Sequence, residues 1–152
     1  GGGLLPVSAF LARREVMQVF RPGDHGSTFG GNPLAAAVAL ETLEVLADEH
    51  LVERAAALGE ILMKGLDAID SPLIREVRGL GLLVGMEVDG RQISARTICD
   101  HLLARGLLTR DTHETVIRFA PPLVVSREQI EWAVRTVRDV FEILGSPLRK
   151  AA

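Results

Sequence analysis

Ser27 and Thr28 set two hydroxyls side by side within His25-Gly26-Ser27-Thr28-Phe29-Gly30-Gly31-Asn32-Pro33-Leu34. A phosphate group is held by several short donors at once, and hydroxyls next to free backbone amides supply them. Gly30 and Gly31 permit a close backbone approach to such an anion, although a simple turn explains them equally well. Asn32 is a favoured helix N-cap, Pro33 suits the first helical position, and the small-residue run Leu34 to Ala47 supplies the helix. Amides at that helix start add to an anion site; the same residues also describe an ordinary capped helix after a glycine-rich turn.

Arg118, in Ile117-Arg118-Phe119-Ala120-Pro121-Pro122-Leu123-Val124, is the second candidate. Its planar guanidinium can form two parallel hydrogen bonds to a carboxylate, and the double proline stiffens the segment that presents it. An arginine in a short strand also serves as a structural ion-pair partner. The other residues carry less. His25 borders the hydroxyl loop, His113 lies in the Thr112-His113 loop, His50 and His101 fall at a helix end and a helix surface, and their spacing forms no zinc motif. Cys99 stands alone, which excludes an intrachain disulfide and fits a buried helix residue in a reducing compartment. Glu87 and Asp111 read as solvated or paired. Gly79-Leu80-Gly81-Leu82-Leu83-Val84-Gly85 is not a dinucleotide fingerprint, because a strand and not a helix follows it.

These residues need elements to position them. Leu4 to Leu11 reads as a strand entering a core, Arg13 to Phe20 as a short helix, and Arg21-Pro22-Gly23 as a turn. After the Leu34 to Ala47 helix, Asp48-Glu49-His50 marks a break. Leu51, Ala55, Leu58, Leu62, Leu66 and Ile69 recur at helical spacing, so a second helix runs from about Leu51 to Ile69. Ile74 to Arg78 and Leu82 to Val88 read as paired strands closed by the Asp89-Gly90 turn. Ile93 to Arg105 reads as a helix stopped at Gly106, and Leu107 to Thr109 and Val116 to Phe119 as short strands around a polar loop. A last helix near Arg127 to Leu144 presents Ile130, Val134, Val137, Phe141 and Leu144 on one side. Strands interspersed with covering helices predict an α/β or α+β layer arrangement.

Composition narrows the classes further. A compact chain of 152 residues buries about 70% of its unfolded surface. With 47% hydrophobic residues, 24% charged residues and a net charge of -3, nothing points to nucleic acid. No apolar run approaches the roughly 18 residues of a membrane span, so the expectation is a cytoplasmic protein with no membrane partner.

Taken in order, Leu5-Pro6-Val7-Ser8-Ala9, the hydroxyl loop and Ile117 to Val124 resemble the class III aminotransferases, which use pyridoxal 5'-phosphate. The likeness runs over nearly the whole chain, is strongest at Gly1 to Leu46 and Gly106 to Val125, and favours the ornithine-type members. It implies a fragment of the fold type I α/β transferase architecture: residues 1-50 as the end of the large cofactor domain and 51-152 as the small α+β C-terminal domain. It also implies Ser27 and Thr28 as donors to the cofactor phosphate of a partner subunit in a homodimer, and Arg118 as the substrate-carboxylate residue. The family's Schiff-base lysine lies just upstream of a segment like Gly1-Gly2-Gly3-Leu4-Leu5-Pro6, and neither Lys64 nor Lys150 matches it. The resemblance thus predicts the C-terminal part of an enzyme, inactive alone, whose N-terminal portion comes from the same or a separate polypeptide. The implied reaction moves the side-chain amino group of ornithine to 2-oxoglutarate. Acetylornithine and 4-aminobutyrate aminotransferases stay open as alternatives, as does a binding or assembly remnant without turnover.

Overall fold

The structure, a computed structural model, describes residues 1–145; Lys150 lies outside the described residues. The chain divides into two compact units, the first Gly1–His50 and the second beginning at Leu51.

The first unit holds two helices, α1 (Arg14–Met17) and α2 (Pro33–Asp48). Asn32 caps α2 as its residue type predicts: its side chain accepts from the Ala35 amide at 2.9 Å while its own Nδ2 donates to the Phe29 carbonyl at 2.9 Å. Pro33 occupies the first helical turn, where a missing amide hydrogen costs nothing. The strand predicted over Leu4 to Leu11 is not formed, and Leu4, Phe10 and Leu11 are exposed. A strand needs a neighbour to satisfy its backbone, and this unit contains no other strand among the described residues.

The second unit is a two-layer arrangement in the order α3 (Leu51–Asp67), β1 (Ile74–Leu80), β2 (Leu83–Val88), α4 (Ala95–Leu103), β3 (Arg110–Thr112), β4 (Val116–Phe119), α5 (Arg127–Gly145). The four strands form one antiparallel sheet in the order β1-β2-β4-β3. On it α3 packs against β1 and β2, α4 against β3 and β4, and α5 against both helices. Alternation decides which residues go inward. Val84, Met86 and Val88 of β2 and Ile117 and Phe119 of β4 meet Leu58, Leu62 and Leu66 of α3 in one core, closed by Ile98, Leu102, Val137 and Phe141.

Ser94 caps α4, accepting from the Thr97 amide at 3.1 Å. Gly106, at φ 85°, ends that helix: its amide donates to Leu103 and the Leu107 amide to Leu102, the six-to-one closure that a left-handed residue permits. The β3 strand begins three residues later than Leu107 to Thr109 predicts, because the pairing partner sets its limits. Arg110 stands opposite Arg118 and Thr112 opposite Val116. α3 meets the β1–β2 turn with almost no gap, since a β-carbon on Gly59 would lie 2.6 Å from Gly81 Cα. Among the described residues no helix is long and apolar enough to cross a membrane.

Candidate functional site

In the first unit, Ser27 lines an open hollow of about 530 Å³ together with Ser8, His25 and Asn32. Thr28 is exposed and is not among the lining residues. Among the described residues neither hydroxyl makes a hydrogen bond, so both are available to a ligand. Gly30 is what lets Ser27 fold over the turn: a β-carbon there would sit 2.9 Å from Ser27 Cβ and Oγ. The start of α2 is less open than its sequence suggests. Pro33 has no amide hydrogen, the Ala35 amide is taken by Asn32 Oδ1 and the Ala36 amide by the Asn32 carbonyl, leaving Leu34 as the first-turn donor. Anion binding here rests on the loop hydroxyls more than on the helix end.

In the second unit the helices cover one face of the sheet and leave the other open. Across that open face the register aligns Arg78, Gly85, Arg118 and Arg110 in one row, one residue from each strand. Arg78 is neutralised twice, by Glu76 at 2.6 Å and Glu87 at 2.9 Å. Arg118 and Arg110 are exposed, and among the described residues neither has an ion-pair partner. The structural-partner reading of Arg118 therefore finds no carboxylate within this chain's described part. Both arginines, with Arg96, Leu108, Thr109 and Ala120, line a hollow of about 420 Å³. Arg96 is held by Asp111 at 3.2 Å, and Glu87 likewise is paired, as its sequence context predicts. Sequence reasoning singled out Arg118 and passed over Arg110, whose place opposite it depends on register.

A different cluster is structural. The Asp89 carboxylate receives the Arg91 side chain at 3.1 and 3.2 Å, Gln92 at 3.2 Å, the Arg91 amide at 3.1 Å and Arg75 at 2.9 Å. Arg91, then Gln92, hold this carboxyl well below the usual carboxylate range. The cluster locks the turn between β2 and α4. Cys99 is buried on α4, and burial pushes its thiol up, away from the reactive thiolate. Lys64 is exposed on α3 and paired with Glu60 at 3.0 Å. Among the described residues no group of three His, Cys, Asp or Glu could hold a metal ion.

The family model for class-III aminotransferases matches residues 1–141. The chain belongs to the class-III aminotransferase family. These are pyridoxal-phosphate enzymes, and the described residues fit one end of that cofactor: two unpartnered hydroxyls beside a close glycine turn suit its phosphate. The ornithine aminotransferase of Bacillus subtilis is 52% identical over 141 residues, covering 93% of this chain and 34% of its own length. The solved ornithine delta-aminotransferase of Plasmodium falciparum superposes with a TM-score of 0.82 at 39% identity, covering 91% of this chain and 36% of that one. The acetylornithine aminotransferase of Elizabethkingia anophelis reaches a TM-score of 0.78 at 42% identity, over 88% and 34%. The chain thus spans about a third of the length of the class-III relatives it matches. The likeness extends to the α/β content and the small antiparallel sheet.

Proposed function

We propose that this chain supplies the C-terminal part of an ornithine aminotransferase, with Gly1–His50 as the end of its cofactor domain and the unit from Leu51 as its small domain. The complete enzyme moves the side-chain amino group of ornithine to 2-oxoglutarate, giving glutamate semialdehyde and glutamate. Arg118 carries the reading: an exposed guanidinium with no ion-pair partner among the described residues, on an open sheet face, in the segment that resembles the family's carboxylate-binding strand. Arginine grips a carboxylate through two parallel bonds, and both the oxo acid and the glutamate formed from it present one.

Pyridoxal phosphate, when bound, supplies the electron sink for amino transfer. This chain's part is to hold and orient. Ser27 and Thr28 would donate to the phosphate bound in a partner subunit, as the resemblance implies, so the working enzyme is a homodimer. The cofactor-anchoring lysine comes from elsewhere in this reading, because neither Lys64, which is exposed and paired with Glu60, nor Lys150 falls at the position the resemblance gives it. The isolated chain is therefore inactive. An acetylornithine-specific enzyme is the second reading, because the likeness extends to the Elizabethkingia protein.

The test is to join this chain to a polypeptide supplying the remaining two thirds and to assay ornithine with 2-oxoglutarate, running acetylornithine and 4-aminobutyrate in parallel. Turnover of ornithine is expected. Turnover of a competitor but not ornithine changes the substrate, and a stable complex without any turnover means a non-catalytic assembly role.

A further inference from the structure

We propose that Arg54, on α3, is a positioning residue for Arg118: it fixes the far end of the stiff connection that leaves β4, and so holds the end of the strand that presents Arg118 to its substrate. The inference rests on the carboxylate role proposed for Arg118. Arg54 Nη2 donates to the Val125 carbonyl at 2.6 Å, joining residues 71 positions apart. A bond from a charged donor is short and strong. Arg54 lies within a turn of the N-terminus of α3, where the helix dipole disfavours a cation, and the Val125 carbonyl offsets that placement.

The end of β4 has few other holds. Arg118 is the last β4 residue opposite β3, and Phe119 pairs with β2 alone. Ala120, Pro121 and Pro122 follow. The two prolines carry no amide hydrogen for a ladder, their φ is fixed, and each confines the residue before it to extended backbone. Such a connection cannot be tied down along its length, but it is stiff, so the placement of its far end bears on the placement of its near end.

That far end is a built corner. The Val125 amide donates to the Pro122 carbonyl at 3.0 Å, closing a turn, and the Val125 side chain joins the core. Ser126 then caps α5 reciprocally: its amide donates to Gln129 Oε1 at 2.8 Å, and its hydroxyl accepts from the Gln129 amide at 3.2 Å. Arg54 binds this corner to α3, which is itself packed on β1 and β2. Guanidinium, Val125 carbonyl, turn and double proline therefore make one continuous link from α3 to the strand end at Arg118. A staple that served stability alone would leave substrate binding untouched, and this difference is what an experiment can read.

The experiment uses the complete, cofactor-loaded enzyme. Arg54→Met keeps the aliphatic stem and removes the donors; it is expected to raise the KM for 2-oxoglutarate roughly two- to fivefold with kcat hardly changed. Arg54→Lys, which can still donate to the carbonyl, should recover most of the loss. Replacing both prolines, Pro121→Gly with Pro122→Gly, cuts the stiff link, so in that background Arg54→Met should lower Tm but change KM no further. A KM at the parent value in Arg54→Met, an equal rise in Arg54→Lys, or a full additional rise in the glycine background overturns the proposal. Arg118→Lys, assayed alongside, separates the two readings. If it raises the 2-oxoglutarate KM while Arg54→Met does not, only the role of Arg54 falls; if it leaves that KM unchanged, the carboxylate role of Arg118 falls and this inference with it.

Discussion

Gly59→Ala and Gly65→Ala make the same chemical change on one helix and should have unequal consequences. At Gly59 the added methyl would press on the Gly81 carbonyl oxygen and come within 2.6 Å of Gly81 Cα, all of it backbone in the β1–β2 turn. Gly81 sits at φ 54° between Leu80 and Leu82 and cannot step aside without unpairing the hairpin end. At Gly65 the obstacle is Val134, whose Cγ2 and Cγ1 would lie 2.8 and 2.9 Å away, so a side chain and not backbone must shift, by a small displacement of α5 against α3. Alanine in a helix gains about 1 kcal/mol over glycine at either position. Overpacking against backbone costs about 3 kcal/mol, at the upper end of its usual range, whereas crowding a movable valine costs about 1. The balance is a net loss of about 2 kcal/mol for Gly59→Ala and about zero for Gly65→Ala. For a unit of roughly 100 residues the first corresponds to a Tm lower by about 8 to 16 °C. Urea unfolding followed by the fluorescence of the single tryptophan, Trp132 on α5, reports this unit directly. A Gly59→Ala variant as stable as the parent, or a Gly65→Ala variant that is the worse of the two, refutes the argument from backbone contact.

Thr28→Ala in the complete enzyme should weaken cofactor retention by about 1.5–3 kcal/mol, the loss of one hydrogen bond to a charged group. Titration of the apoenzyme checks it, and unchanged affinity in a folded variant rejects the phosphate role. Arg118→Lys keeps the charge but loses the planar fork, so the KM values for glutamate and 2-oxoglutarate should rise with little change in Tm. A sharp fall in Tm with intact specific activity would instead mark a structural ion pair. Asp89 is held below the ordinary carboxylate value, so its contribution to stability is present above about pH 4 and is lost as pH falls through the folded value. Asp89→Asn should accordingly be less stable than the parent at pH 7, with the difference narrowing as unfolding is repeated below pH 4; a constant difference down to pH 2 contradicts the assignment.

The helices were the readable part of this sequence because their signals are local. Asn32-Pro33 fixes the start of α2, and the spacing from Leu51 to Leu66 fixes the buried side of α3, without reference to anything distant. β4 was legible for a related reason, since Ile117 and Phe119 flank Arg118 at the two-residue period of a strand. The misplaced elements depend on partners. An apolar run such as Leu4 to Leu11 says that burial is needed but not against what, and no strand in its unit pairs with it. β3 is three polar residues whose strand character comes from β4 alone, so the apolar Leu107-Leu108 drew the prediction too early. The candidate site divides the same way. Ser27, Thr28 and Arg118 stand out by type and motif, whereas Arg110 becomes visible when the register sets it opposite Arg118.

The strand order also governs how the second unit can misassemble. Its two outer strands are β1 and β3, and each is poorly suited to accept a further strand. β1 is irregular between Ile74 and Glu76 and bears Arg75, Glu76 and Arg78, while β3 ends after three residues and begins with Arg110 and Asp111. Irregularity, charge and shortness all discourage edge-to-edge addition. Sideways growth into an extended sheet is thereby blocked. The vulnerable place is the tip of the β1–β2 hairpin, where Leu80 and Leu83 lie exposed together. Separated from the rest of its enzyme, this unit should cluster through that apolar tip into amorphous, salt-sensitive aggregates and not into fibrils.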